Sequence, residues 1–239
     1  MKKHNVTFPE EKQVYDYYFD RPTKNWISWF ETVPEYTVDI AMSFNEILVP
    51  TQDSIRMKYI VRQLLTSGNH VLTPGPTGTG KSVNTAEMLT YDMPEEYLTL
   101  TRTFSAQTSA NQVQDYLDDK FEKRRKGVYG PGIGKKYVVF VDDLNMPKKE
   151  EYGAQPPLEL LRQYLDHKGW YERKTKEKPF NKIEDIYLMA AMGPPGGGRS
   201  KITGRIQRHF NILTYTDLDS DSIDKIFSTI ITAFYHNFS

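Results

Sequence analysis

The chain has 239 residues, with 31 Lys plus Arg against 31 Asp plus Glu and no cysteine. That length holds one or two domains and a sizeable core. The zero net charge argues against a nucleic-acid-binding surface, and the lack of cysteine excludes disulfides and thiolate metal sites. Hydrophobic residues are 38% and the mean hydropathy is −0.62, with no apolar run near the roughly 20 residues that span a bilayer. The start, Met1-Lys2-Lys3-His4-Asn5, is not followed by an apolar secretory segment. The expectation is a soluble, intracellular globular unit with no membrane and no nucleic acid among its partners.

Residues 1–45 carry Tyr15, Tyr17, Tyr18, Phe19, Trp26, Trp29 and Phe30 at irregular spacing. They read as an extended or short-helix arm packed on a larger body, with a helical core face as the alternative. A helix is expected over 53–65, with Ile55, Tyr59, Ile60 and Leu64 on one face, Asp53 as its N-cap and Gly68 as its stop. A buried strand over 70–73 then enters a glycine-rich turn. Next come a helix over 81–89, a strand over 97–101 and a helix over 111–121 with Val113, Leu117 and Phe121 aligned. Lys123-Arg124-Arg125-Lys126 and the segment 130–134 read as a basic loop, its charge as solvated surface rather than a nucleic-acid site. Tyr137-Val138-Val139-Phe140-Val141 is apolar throughout, as suits a parallel strand covered on both faces. A helix over 157–166, a charged surface insertion over 170–182, strands over 186–192 and 210–215 and a helix over 222–238 complete the pattern. Strands alternating with helices imply an α/β fold with a mainly parallel sheet.

Gly75-Pro76-Thr77-Gly78-Thr79-Gly80-Lys81-Ser82 matches the phosphate-loop pattern G-x-x-x-x-G-K-[ST] in full. Glycines let the loop turn its amides toward phosphates, and the helix behind adds its positive end. Lys81 is expected at the β- and γ-phosphates, Ser82 on Mg²⁺, and Val83 beside them. The pattern sits between an expected strand and an expected helix, as the motif requires. Downstream, the apolar strand ends in Asp142-Asp143. A carboxylate at the end of a neighbouring strand can orient Mg²⁺, which assigns Asp142; the second can polarise an attacking water, which assigns Asp143. The five histidines, at 4, 70, 167, 209 and 236, show no metal-ligand spacing.

Longer motifs add a resemblance. Phe140-Val141-Asp142-Asp143-Leu144-Asn145-Met146-Pro147, Tyr152-Gly153-Ala154-Gln155-Pro156-Pro157 and Glu159-Leu160-Leu161-Arg162-Gln163 are similar to the third AAA+ module of axonemal dynein heavy chains. So are Phe104-Ser105-Ala106-Gln107-Thr108-Ser109-Ala110, Arg124-Arg125-Lys126-Gly127-Val128-Tyr129-Gly130-Pro131, Met192-Gly193-Pro194-Pro195-Gly196-Gly197-Gly198-Arg199 and Arg208-His209-Phe210. The resemblance covers about residues 17–238.

It implies a five-stranded parallel AAA+ sheet flanked by helices, with the start of a helical lid. In those terms, 1–45 is an inter-module arm, 46–217 the large α/β subdomain and 218–239 the first helix of a truncated lid. Dynein heavy chains are vastly longer, so the resemblance implies an excised piece. It places Leu48, Val49 and Pro50 over the adenine base, although ordinary core packing explains their apolar character equally. Arg205 or Arg208 stands where the family carries its arginine finger toward a neighbouring module, solvated surface charge being the alternative.

Two departures bear on catalysis. The wider superfamily has Glu where this chain has Asp143, one methylene shorter, or about 1.5 Å. Gly193 occupies the position of a polar residue, usually Asn. The implied function is an ATP/ADP- and Mg²⁺-binding module of a microtubule motor in the axoneme of the cilium, a regulatory switch with slow hydrolysis, weak or absent in an isolated piece. Its partners would be adjacent AAA+ modules of the same heavy chain, with dynein intermediate and light chains and microtubules reached only through the full-length motor. A non-catalytic structural module, or another P-loop enzyme, are the alternatives.

Overall fold

The computed structural model describes residues 7–9, 11, 13–39, 42–43 and 46–235. They fall into two compact units: 1–59 with 218–239, and 60–217.

In the first unit, β1 (Tyr17–Asp20) and β2 (Asn25–Ser28) form an antiparallel hairpin with Tyr17 opposite Ser28 and Asp20 opposite Asn25. The segment is extended, its strands folded into a hairpin with short 3₁₀ turns at Val14–Asp16 and Trp29–Thr32, and is not a helical core face. The irregular aromatic spacing follows from strand alternation. Tyr18 stacks on Trp29 at 4.5 Å and both rings meet Tyr59, whereas its neighbour Phe19 turns the other way, onto Trp26. Helix α1 (Gln52–Thr66) begins one residue earlier than expected. Thr51 and Ser54 cap it reciprocally, Ser54 N donating to Thr51 Oγ1 at 3.2 Å and Thr51 N to Ser54 Oγ at 3.0 Å. Asp53 is not the cap, because its carboxylate is held by Arg56 at 2.5 Å.

The second unit holds β3 (Val71–Pro74), α2 (Lys81–Glu87), β4 (Tyr97–Thr103), α3 (Ala110–Asp118), β5 (Glu122–Arg125), β6 (Val128–Gly130) and β7 (Lys136–Asp142). It continues with α4 (Pro156–His167), β8 (Gly169–Tyr171), β9 (Phe180–Ile183), β10 (Ile186–Met192), α5 (Gly204–Gln207) and β11 (Asn211–Ile212). After α2 the chain runs on through a π-turn, Met88–Asp92, rather than as α-helix to residue 89. Helix α3 stops at Asp118, so Phe121 lies beyond its end. The last helix, α6 (Ser220–Tyr235), belongs to the first unit and is capped by Asp219, whose Oδ1 accepts from Ser222 N at 2.8 Å. The expected end of that helix, 236–238, lies outside the described residues, as do His4 and His236.

Five strands, in the order β11-β3-β10-β7-β4, form one parallel sheet. Both faces are covered, which is why its strands read as unbroken apolar runs. Val139 and Val141 point to a layer containing Leu117, Leu158, Leu161 and Ile206; Val138 and Phe140 point to one containing Val61, Leu65 and Met88. The order corrects one expectation: the strand carrying Asp142 is not adjacent to the strand before the phosphate loop, because β10 lies between them.

A second sheet, β5-β6-β9-β8, replaces two expected irregular segments. The basic loop is a bulged hairpin, β5 pairing with β6, and the insertion after α4 is the hairpin β8–β9. The insertion is no surface loop at its start: Trp170 is 2% exposed and its Nε1 donates to Asp118 Oδ1 at 2.9 Å. Among the described residues, no helix is long and apolar enough to cross a membrane.

Candidate functional site

The C-terminal ends of β3, β7 and β10 open into a cleft of about 420 Å³, built wholly from the second unit. Open parallel sheets carry ligands at this edge. Thr77, Gly78, Gly80, Lys81, Ser82 and Val83 line it from the loop between β3 and α2; Asp142 and Asp143 line it from the end of β7. The remaining loop residues act as framework. Gly75 N donates to Met192 O at 3.1 Å, which ties the loop to β10. Pro76 O accepts from Thr79 Oγ1 at 3.0 Å and from the Lys81 ammonium, which also reaches Thr79 Oγ1 at 3.3 Å. Lys81 is thus folded back on its own loop. Burial pulls its pKa below the usual lysine value, Asp142 and Asp143 opposing this and Arg199 adding to it.

The two acids are held differently. Asp142 Oδ1 accepts from the Asp143 backbone N at 2.9 Å. Asp143 sits at φ 53°, a left-handed conformation uncommon outside glycine, asparagine and aspartate. Its Oδ1 accepts from Arg199 Nη2 at 3.1 Å and Nε at 3.4 Å. Ser82 and Asp142 offer oxygen donors to one cleft, a set that suits a hard cation shared with phosphates. Among the described residues, no group of three or more His, Asp or Glu could by itself hold a metal.

The back wall comes from β10 and the turn that follows. Gly193 has no side chain, and a Cβ there would lie 2.7 Å from Arg199 Nε. Gly196, Gly197 and Gly198 all take positive φ, closing a tight turn in which Gly196 and Arg199 exchange backbone hydrogen bonds at 2.9 Å. The turn brings Arg199 back across Gly193. Asn145 spans the other side, its Nδ2 donating to Gly193 O at 2.8 Å while its own O accepts from Ser200 N at 2.9 Å.

The family described as P-loop containing dynein motor region matches residues 36–218. The chain belongs to this family. It is 45% identical over 240 residues to dynein axonemal heavy chain 1 of Mus musculus, covering 94% of this chain and 6% of that protein. It is 45% identical over 234 residues to dynein axonemal heavy chain 3 of Homo sapiens, covering 97% of this chain and 6% of that protein. With dynein axonemal heavy chain 12 of Mus musculus it shares 45% identity over 245 residues, 100% of this chain and 8% of that protein. The chain thus spans less than a tenth of the length of these relatives.

Within this dynein motor region, the two candidate arginines differ sharply. Arg205, on α5, is exposed and makes no hydrogen bond or ion pair among the described residues. Arg208 is bound: its Nη2 donates to Asp166 Oδ1 at 2.6 Å. Asp166 also takes Arg162 Nη1 at 2.7 Å and lies 2.9 Å from His209 Nε2. Leu48, Val49 and Pro50 belong to the first unit, where Val49 is buried.

Sequence reasoning missed Arg199, which lines the cleft, and Asn145, which braces its wall at Gly193. Both lie in motifs that carry the family resemblance. The available signal was the glycine run before Arg199, a turn signature next to a position lacking its polar side chain.

Proposed function

We propose that this chain is the third AAA+ module of an axonemal dynein heavy chain and works as a regulatory nucleotide switch in the motor ring. The observation that carries the reading is the single cleft joining Lys81 and Ser82 to Asp142 and Asp143 across β10. In it Lys81 leaves its loop contacts for the β- and γ-phosphates of ATP, and the loop amides of residues 77–82 cradle the chain of phosphates. Ser82 and Asp142 hold Mg²⁺, which neutralises phosphate charge when bound. Asp143 accepts a proton from, and orients, the attacking water. Leu48, Val49 and Pro50 cover the base. The first 45 residues act as the inter-module arm, 46–217 as the large subdomain and 218–239 as the start of the helical lid.

Arg205 is the finger offered to the neighbouring module. The free state of Arg205 and the engagement of Arg208 with Asp166 support that choice over Arg208. The partners are accordingly adjacent AAA+ modules of one heavy chain, with intermediate and light chains and microtubules reached through the whole motor, in the axoneme of the cilium. The relatives' names support the location.

Hydrolysis is slow in this reading. Asp143 is short for its task, and a displacement near 1 Å can lower a rate about a hundredfold. A second reading, a structural module that keeps its nucleotide without turnover, draws on the same Asp143, whose carboxylate is occupied by Arg199. Calorimetric titration with Mg²⁺ and ATP or ADP tests the proposal. Binding by the wild type, with most affinity lost in Lys81→Ala, supports it; a wild type that binds neither nucleotide overturns it. Single-turnover hydrolysis then separates switch from structural module.

A further inference from the structure

Among the described residues, two cations line the cleft, and the phosphate loop accounts for one of them, Lys81. The other is Arg199, which neither composition nor spacing assigned a role. Among the described residues it is the one arginine that lines the cleft. Its side chain is 26% exposed, half-sheltered from water, and its fork is aimed inward by the turn through Gly196, Gly197 and Gly198. It occupies space that any side chain at Gly193 would take. A planar guanidinium suits a carboxylate or a phosphate in the same two-pronged way.

We infer that Arg199 is a latch that reads the terminal phosphate: it holds Asp143 when that phosphate is missing and exchanges Asp143 for it when a nucleoside triphosphate is bound. The inference rests on the reading of the cleft as a nucleotide site. Its physical basis is competition. Asp143 presents one negative charge to Arg199, whereas a γ-phosphate presents more charge and three oxygens to the same fork. A diphosphate leaves the ion pair in place, so Asp143 stays engaged and unavailable to water. A triphosphate draws Arg199 away and frees the Asp143 carboxylate at the moment when its substrate is present. The missing side chain at Gly193 is then a requirement of the device, since Arg199 stands where a polar side chain would have stood. No bond is made or broken in the exchange; one charged hydrogen-bond pair replaces another.

The test is nucleotide binding followed by calorimetry on the chain with Mg²⁺, using ADP and the slowly hydrolysed analogue ATPγS, across four variants. Arg199→Ala is expected to weaken ATPγS about tenfold or more and to leave ADP within about twofold. Arg199→Lys, which keeps charge without the fork, should recover part of the loss. Gly193→Ala, which displaces Arg199 without removing it, should resemble Arg199→Ala. Asp143→Asn removes the competing carboxylate and should tighten ATPγS severalfold relative to ADP, an effect of opposite sign that a merely structural role would not produce. Retained ADP affinity shows that each variant is folded. Equal losses for both nucleotides, or no change in their ratio, would overturn the latch while the nucleotide site stands. A wild type that binds neither ligand removes both readings together.

Discussion

Asn145 and Gly193 are joined by a 2.8 Å hydrogen bond that fastens the loop after β7 to the end of β10. Asn145 is 1% exposed, so the bond is made away from water, and its Oδ1 has no hydrogen-bond partner among the described residues. Removing the amide strands a buried carbonyl at Gly193. Asn145→Ala is therefore expected to lower stability by about 1–3 kcal/mol, read from urea unfolding. Because the same bond sets the wall behind Arg199, nucleotide affinity should fall with it.

The imidazole of His70 provides an acid sensitivity. Its Nδ1 accepts from Leu188 N at 2.9 Å, and Lys168 Nζ lies 3.4 Å from Nε2. Burial, then the charges of Lys168 and His209, push its pKa down to about 4. Between the ordinary histidine value and about 4, the unfolded chain takes up a proton that the folded chain refuses. This contribution to stability is thus complete above about pH 6.5 and shrinks on acidification, by about 3 kcal/mol at the low end. Urea unfolding at pH 7 and pH 4.5 should show the fall, and His70→Asn, which keeps an acceptor without a titrating ring, should flatten it.

Arg205 and Arg208 should separate by assay. Arg205→Ala removes an exposed, unengaged side chain and is expected to change stability by less than about 0.5 kcal/mol. Placed in a heavy chain with its neighbouring module, the same change should reduce that neighbour's ATP turnover by about a thousandfold. Arg208→Ala should instead lower the melting temperature of the chain itself. Arg208 is the leading cause of the depressed Asp166 pKa, so the lost stability is present above the ordinary carboxylate range and fades as pH falls through it.

Trp170 anchors the hairpin β8–β9. It packs at 6.0 Å against the ring of Phe121 and donates to Asp118. Trp170→Ala should cost about 3–5 kcal/mol, measured by guanidinium unfolding. Burial raises the Asp118 pKa. Trp170→Phe, which keeps the packing and drops the donor, should raise it further by leaving that carboxylate with one hydrogen-bond donor fewer.

The sheet and the phosphate loop were legible because parallel strands buried on both faces leave no polar alternation to confuse them: residues 137–141 and 186–192 could hardly be anything else. The second sheet was hidden for the opposite reason. Glu122–Arg125 and Phe180–Ile183 are four-residue strands rich in charged and polar side chains, and composition alone reads such stretches as loops. The Asp53 cap misled because three candidate capping side chains stand close together, and only the contact with Arg56 decides among them. Arg199 escaped notice because its place depends on three successive glycines with positive φ, a geometry that no periodicity records.

The position of β10 between β3 and β7 has a consequence for what the cleft can hold. Each strand step in a sheet measures about 4.8 Å, so the strand that feeds the phosphate loop and the strand that ends in the acid pair lie about 10 Å apart. The sheet is in effect a ruler laid under the ligand. The loop and the Lys81 side chain close that gap above β10, since the charges of Asp142 and Asp143 already act on Lys81 within one cleft, so a phosphate held at Lys81 is felt from both ends.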